Sequence, residues 1–187
     1  MRTFLPLFLL PLATAAPALA DEVVPVPRFT AVGLKNGGTV RIVPGAVQRV
    51  ILHSGSTAYS RVWVRNRSLE IEGCHGRSCP ANYRLDVEIQ TPNLDAVAVS
   101  NGGKMQFAPG FRPQGDIAAA VSNGGMIDMR TVPAREVSAA VNSGGLIEVG
   151  APAELSAAVN SGGAIRYRGN PDISMAVASG GSVERAQ

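Results

Sequence analysis

The sequence predicts an all-β chain. Its C-terminal half reads as a parallel β-helix, a solenoid of stacked coils, preceded by a region of antiparallel hairpins. Three observations predict this. A Ser/Asn-Gly-Gly unit recurs five times between residues 92 and 187, the residues flanking it fall into matching columns, and upstream stretches alternate apolar and polar with a period of two. Composition agrees. Of 187 residues 21 are Gly and 13 are Pro, and aromatics reach only 5%, so Ala and Val dominate the apolar set. A core of such residues is thin and suits closely spaced sheets better than a bulky sandwich.

Residues 1–20 read as a signal peptide. Arg2 supplies the positive start, "FLPLFLLPLA" the apolar middle and Ala18–Leu19–Ala20 a small-residue cleavage site before Asp21. The apolar run is too short, and too interrupted by Pro6, Pro11 and Pro17, for a comfortable membrane span. No cysteine stands near the cut to carry a lipid, and no later segment is long and apolar enough to cross a bilayer. The expectation is a released chain, residues 21–187 forming one domain, in the periplasm or at the cell surface. The formal charge of the full 187-residue sequence is +3 and rests almost wholly on arginine, Lys35 and Lys104 being the only lysines. In an exported chain this balance points away from nucleic acid. It serves solubility first, and anionic envelope glycans or lipids second.

Residues 21–91 form the expected hairpin region. "RVWVR" at 61–65 sets Val62 and Val64 on one side and Arg61, Trp63 and Arg65 on the other; "SLEIEG" places Leu69 and Ile71 on one face. "YRLDVEIQ" at 83–90 alternates Tyr83, Leu85, Val87 and Ile89 against Arg84, Asp86, Glu88 and Gln90. Asn66–Arg67 is a turn between the first two runs. Cys74 and Cys79 bracket "HGRS", and in an oxidising compartment they should form a local disulfide. Such a ring stabilises by about 2 kcal/mol in the chain-entropy model. A metal site recruiting His53 and His75 is the weaker reading, because the spacing matches neither C-x₂-C nor H-x₃-H.

Residues 92–187 carry the repeat. The first glycines are Gly102, Gly124, Gly144, Gly162 and Gly180. Three residues before them stand Val99, Val121, Val141, Val159 and Val177; one earlier, Ala98, Ala120, Ala140, Ala158 and Ala176; three after, Met105, Ile127, Ile147, Ile165 and Val183. All length variation falls in proline-bearing loops between units. Coils stacked about 4.8 Å apart would put each residue over its counterpart, with the first glycines as structural corners that need φ > 0. Asn101, Asn123, Ser143, Ser161 and Ser179 precede the corners and could ladder against corner backbone groups. Residues 29–42, "FTAVGLKNGGTVRI", look like a sixth copy ahead of the hairpins. A hairpin meander is the rival architecture, since Asn-Gly between apolar residues is also a hairpin signal. In-register stacking is preferred because it demands identical columns.

At this point the chain resembles a known family, the head GIN domain of autotransporter adhesins. The shared pattern is a signal peptide, a strand region ending in "VEIQTPNLDAVAVSNGG", repeated Ser/Asn-Gly-Gly units and a terminal "GGAIRYRGNPDISMAVASGGSVER". The resemblance implies a right-handed β-helix-like fold in an envelope or surface protein, and adhesion. It implies no catalytic residues and no cofactor.

Acid pairs of the kind that cleave glycans were sought because β-helices can be polysaccharide lyases or hydrolases. Asp128 and Glu148 fall one coil apart in the column Gln106, Asp128, Glu148, Arg166, Glu184, where Arg166 supplies a counter-charge. No His, Lys or aromatic platform accompanies them. Two surfaces could bind. One is the Ala98–Ala176 column flanked by Ser138, Ser156 and Ser174, which faces either inward as core or outward as a flat docking face. The other is the arginine group Arg61, Arg65, Arg67, Arg77 and Arg84 with Trp63, either gathered for anionic glycan or protein contact or scattered and solvated. The last coil, ending in "SVERAQ", should be either mobile or covered by another subunit. The expected function is non-catalytic, adhesin-like binding or scaffolding without cofactor or metal. A carbohydrate-active enzyme is the alternative.

Overall fold

The computed structural model describes residues 21–76 and 79–186. Residues 1–20, with the expected signal peptide, and Arg77 lie outside them. The described residues are all-β. The strands are β1 (Glu22–Val23), β2 (Ala31–Lys35), β3 (Thr39–Pro44), β4 (Arg49–Ser54), β5 (Arg61–Arg65), β6 (Ser68–Glu72), β7 (Asp86–Thr91), β8 (Ala96–Ser100) and β9 (Lys104–Phe107). The repeat continues with β10 (Gln114–Ser122), β11 (Met126–Met129), β12 (Ala134–Asn142), β13 (Leu146–Val149), β14 (Glu154–Asn160), β15 (Gly163–Tyr167), β16 (Asp172–Val177) and β17 (Gly181–Arg185). They form two mixed sheets, neither closed. The nine-stranded sheet has the order β1-β4-β7-β3-β9-β11-β13-β15-β17, the eight-stranded sheet β16-β14-β12-β10-β8-β2-β6-β5.

Within the repeat every pairing between units is parallel and places like on like. Val99, Val121, Val141, Val159 and Val177 are successive register partners in one sheet, and Ile127, Ile147, Ile165 and Val183 in the other. Each unit contributes one strand to each sheet, joined by the Gly-Gly corner. Strand alternation then turns Val121 and Ile127 inward, where both are buried, and Ala120 outward, where it is exposed. The alanine column at 98–176 therefore faces solvent.

The corners show two separate demands for glycine. At the second corner Asn123, Gly124 and Gly125 all have positive φ, at 55°, 80° and 109°. A Cβ on Gly124 would meet nothing, so backbone conformation alone selects glycine there. A Cβ on Gly125 would lie 2.6 Å from Val99 Cγ1 of the preceding repeat unit, so space selects it as well. The left-handed arc thus starts one residue before the first glycine, where Asn is tolerated. Side-chain amides stack along this line. Asn123 donates to Asn101 Oδ1 and Asn101 to Asn36 Oδ1, each at 3.2 Å, and Asn36 donates to Glu72 Oε1 at 3.1 Å. The expected ladder thus runs amide to amide, and only as far as Asn123; Ser143 and Ser161 donate instead to Asn142 and Asn160, the residues before them.

The expectation of antiparallel hairpins over 21–91 needs correction. Antiparallel pairing joins β1 to β4, β4 to β7 and β5 to β6, but β2 pairs parallel with both β6 and β8, and β3 parallel with both β7 and β9. The physical reason lies in residues 29–42. They carry the same corner as the repeat, Asn36-Gly37-Gly38 with positive φ throughout, so their strands stack in parallel on the next unit. This copy comes first in sequence but lies inside the stack, between β6/β7 on one side and β8/β9 on the other. β6 and β7 act as one more level, with the Cys74–Cys79 loop in place of a Gly-Gly corner. The cysteines are bonded, at 2.04 Å. The third expected strand starts at Asp86 rather than Tyr83, because the chain from Cys79 to Leu85 is still completing that loop. Asn66 and Arg67 do form the tight turn of the β5–β6 hairpin, both with positive φ.

Candidate binding face

The outer face of the eight-stranded sheet is built from three rows fixed by register. The middle row reads Trp63, Glu70, Gly33, Ala98, Ala120, Ala140, Ala158 and Ala176. On one side of it run Arg65, Ser68, Ala31, Ala96, Ala118, Ser138, Ser156 and Ser174. On the other run Arg61, Glu72, Lys35, Ser100, Ser122, Asn142 and Asn160. From Ala96 onward the first two rows contain nothing longer than serine. The result is a low floor with two shallow, mainly apolar recesses of about 550 Å³ and 630 Å³ along it. A fourth row of acids, Asp116, Glu136, Glu154 and Asp172, borders the floor. Arg135 is ion-paired to the first three of them.

The other end of the floor is raised. Arg61, Trp63 and Arg65 alternate with Val62 and Val64 on the edge strand β5, so all three project to the outer face while the valines pack against the core. Behind them the Glu70 carboxylate lies over Gly33. It accepts a hydrogen bond from Ser68 Oγ at 2.9 Å and pairs with Lys35 Nζ at 2.9 Å. Burial pushes its pKa up, but the Lys35 and Ser68 hydrogen bonds outweigh this and hold it below the ordinary carboxylate range. With Glu70 paired to Lys35, the charges nearest Trp63 are Arg61 and Arg65, with Glu72 the register partner of Arg61. Both arginines are exposed, and neither takes part in an ion pair among the described residues.

Of the expected group, Arg67 and Arg84 are not gathered here. Arg67 sits in the β5–β6 turn and lines a separate recess with Arg28, Gln48 and Asn93. Arg84 lines another, with Tyr83 and Asp86, next to the disulfide loop. Distance in sequence hid this dispersal, since alternation assigns a face within a strand but does not place the turns and loops around it. Sequence reasoning missed Lys35, Glu70 and Gly33 as parts of this end of the face. The signal for them was present, as the sixth copy at 29–42 puts Gly33 in the alanine column.

On the outer face of the nine-stranded sheet Asp128 and Glu148 are register partners, and both are held by one arginine. Arg130 donates to Asp128 through Nε at 2.9 Å and Nη2 at 2.6 Å, and its Nε lies 3.5 Å from Glu148 Oε2. The counter-charge is thus Arg130, two residues along from Asp128, rather than Arg166. The Arg130 hydrogen bonds hold Asp128 below its ordinary pKa. A carboxyl so held stays ionised and cannot serve as a general acid near neutral pH. His53 pairs with Asp21 at 2.8 Å, a contact that raises its pKa, and His75 with Glu72 at 2.9 Å. Among the described residues no group of three His, Cys, Asp or Glu side chains is placed to hold a metal ion.

An all-β chain of two mixed sheets, stacked in register on Gly-Gly corners and bearing a small-residue outer face, is the class of protein these features define. Residues 114–171 match the family described as putative auto-transporter adhesin, head GIN domain. The resemblance read from the sequence holds there. Solved structures similar to this chain include a putative adhesin from Bacteroides fragilis, with 16% identity and a TM-score of 0.49 over 89% of this chain and 95% of that one. Others are a putative lipid binding protein from Parabacteroides distasonis (13%, TM-score 0.36, 90% and 96% covered) and a putative cell adhesion protein from Clostridium sporogenes (12%, TM-score 0.34, 89% and 98% covered). No curated protein matches the chain.

Proposed function

We propose that this is an exported, non-catalytic, adhesin-like protein of the periplasm or cell surface. In this reading its two sheets are the walls of a parallel β-helix, and it binds an anionic glycan or envelope protein across the outer face of the eight-stranded sheet. The family matched by residues 114–171 supports the adhesin-like part. No helix of the described residues is long and apolar enough to cross a membrane. The observation that carries the binding site is the edge Arg61–Trp63–Arg65, two exposed arginines that form no ion pair among the described residues and flank an indole on one face, at the end of the row that leads to the alanine floor. An aromatic face packs on a sugar ring, and guanidinium groups on either side reach carboxylate or sulfate substituents. The carbohydrate-active alternative finds its two acids tied to Arg130.

The test is a binding screen with uronate-containing and sulfated oligosaccharides, followed by titration of Trp63→Ala and of Arg61→Ala with Arg65→Ala. Each variant should lose at least tenfold in affinity, on the order of 1.4 kcal/mol, while Arg84→Ala binds as the unsubstituted protein. Binding that survives both variants would remove β5 from the site.

A further inference from the structure

β5 is paired on one side alone, with β6. In an antiparallel pair alternate residues turn both backbone groups toward the partner, and the residues between them turn theirs away. The phase is fixed on β6. Gly73 N–H donates to Lys35 C=O, and Arg67 C=O accepts from Thr30 N–H, so odd-numbered residues there face β2. Ser68, Glu70 and Glu72 therefore face β5, where their register partners are Arg65, Trp63 and Arg61. The two-residue turn of Asn66 and Arg67, both at positive φ, has the same phase, with Arg65 and Ser68 as its closing pair. Val62 and Val64 thus aim their N–H and C=O groups at the free edge. No backbone bond among the described residues satisfies them there.

A recess of about 460 Å³ lies against this edge, lined by Val24, Thr57, Ser60, Arg61, Val62 and Trp63. Val62 points inward and Trp63 outward, so a space touching both must follow the backbone edge between them. Its inner wall is apolar. Val24 is held opposite by its N–H bond to Val50 C=O at 2.9 Å, and Val24 and Val62 are both partly buried against the core. Its outer wall is the indole of Trp63 and the guanidinium of Arg61. The Ser60 hydroxyl is already bonded to that of Tyr83. The Val62 backbone pair is left to be matched, in a recess that no acidic side chain lines.

A fitting group is short, offers an N–H and a C=O side by side, and ends in a small apolar moiety. An acetamido group has all three features. Carried on a sugar ring stacked on Trp63, it sets its amide against the Val62 backbone and its methyl between Val24 and Val62. Arg61 then meets an anionic group of the adjoining residue. A peptide strand fits less well. It would run the length of β5, whereas the recess begins at Thr57 and Ser60 and stops at Trp63.

We propose, on the glycan reading of Arg61–Trp63–Arg65, that this edge selects anionic glycans bearing N-acetylated amino sugars, through a subsite formed by the Val62 backbone, Val24 and Trp63.

The test uses two oligosaccharides with the same number of carboxylates, one alternating uronate with N-acetylglucosamine and one of uronate alone. The N-acetylated probe should bind roughly tenfold tighter, the worth of one hydrogen bond and one buried methyl. In isotope-labelled protein it should shift the Val62 amide resonance and bring the acetyl protons within contact of the Val24 and Val62 methyls. Thr57→Tyr fills the recess from an exposed turn position and leaves the three edge side chains in place. It should erase the preference while the uronate probe binds as before, which also shows that the edge is intact. Equal affinity for the two probes, both weakened by Trp63→Ala, would keep the edge as a glycan site and overturn the acetamido subsite. A preference that persists in Thr57→Tyr would overturn it as well. Binding of neither probe would overturn the glycan reading and the subsite together. An acidic peptide that displaces the probes and protects the amides of both Val62 and Val64 from exchange would assign the edge to strand addition instead.

Discussion

The carboxylate of Glu70 lies across Gly33, so close that a Cβ on Gly33 would stand 3.0 Å from Oε2. The alanine column of the outer face thus has its one glycine where an acidic side chain from the neighbouring strand crosses it. That glycine is unlike the corner glycines. It has ordinary strand backbone, and the crowding atom is the far end of a flexible side chain.

Three glycines should therefore respond differently to alanine. Gly33→Ala moves a carboxylate and also restricts the unfolded chain, so stability should stay within about 1 kcal/mol of the unsubstituted protein. Gly124→Ala forces a left-handed backbone into open space and should cost roughly 1–2 kcal/mol. Gly125→Ala adds a collision with Val99 and should cost roughly 2–5 kcal/mol. Urea denaturation ranks the three, and a Gly125→Ala protein as stable as Gly33→Ala would contradict the corner geometry.

The held carboxylates give the acid limb of stability. Asp128 has a folded pKa depressed below its ordinary 3.8, chiefly by hydrogen bonds from Arg130. Its contribution is fully present above that ordinary value and is lost as pH falls through the depressed folded value. Glu70, depressed by Lys35 and Ser68 against the opposing effect of burial, acts with the same sign. Arg130→Ala should lower stability at neutral pH and flatten its fall below about pH 4. His53 works the other way. Its pKa is raised above 6.5 by Asp21, so its small contribution is present below that value and fades as pH rises through the folded one. Thermal unfolding across pH checks both. An acid limb of equal slope in Arg130→Ala would show that Asp128 does not carry it.

The Cys74–Cys79 bond closes the loop that replaces a Gly-Gly corner between β6 and β7. Replacing both cysteines with serine should cost about 2 kcal/mol. The circular dichroism of the folded protein should be retained, because the corners from Asn36 to Ser179 make no use of the bond. Loss of all β signal in that variant would mean that the stack depends on this level to form.

Much of the face was legible before the structure. The alternation of "RVWVR" put Arg61, Trp63 and Arg65 on one side, and the column at 99–177 reads as interior, whereas the alanine column at 98–176 reads equally as inward or outward. Alternation decides it once a single valine is known to be buried. The acid pair was legible as a pair, but its partner was not, since Arg130 reaches back over Asp128 from the end of β11.

The sequence by itself determined the period, the corners and the columns, because a left-handed backbone selects Asn, Ser and Gly locally and stacking repeats each demand at every level. Tertiary structure alone decided the order of the levels. Residues 29–42 could stack on any level with a compatible corner, and parallel backbone pairing is the same for all of them. Their place between β6/β7 and β8/β9 follows from burying both faces of that level at once. That choice also brought Gly33 and Lys35 beside Glu70 and Trp63, and so made one end of the face.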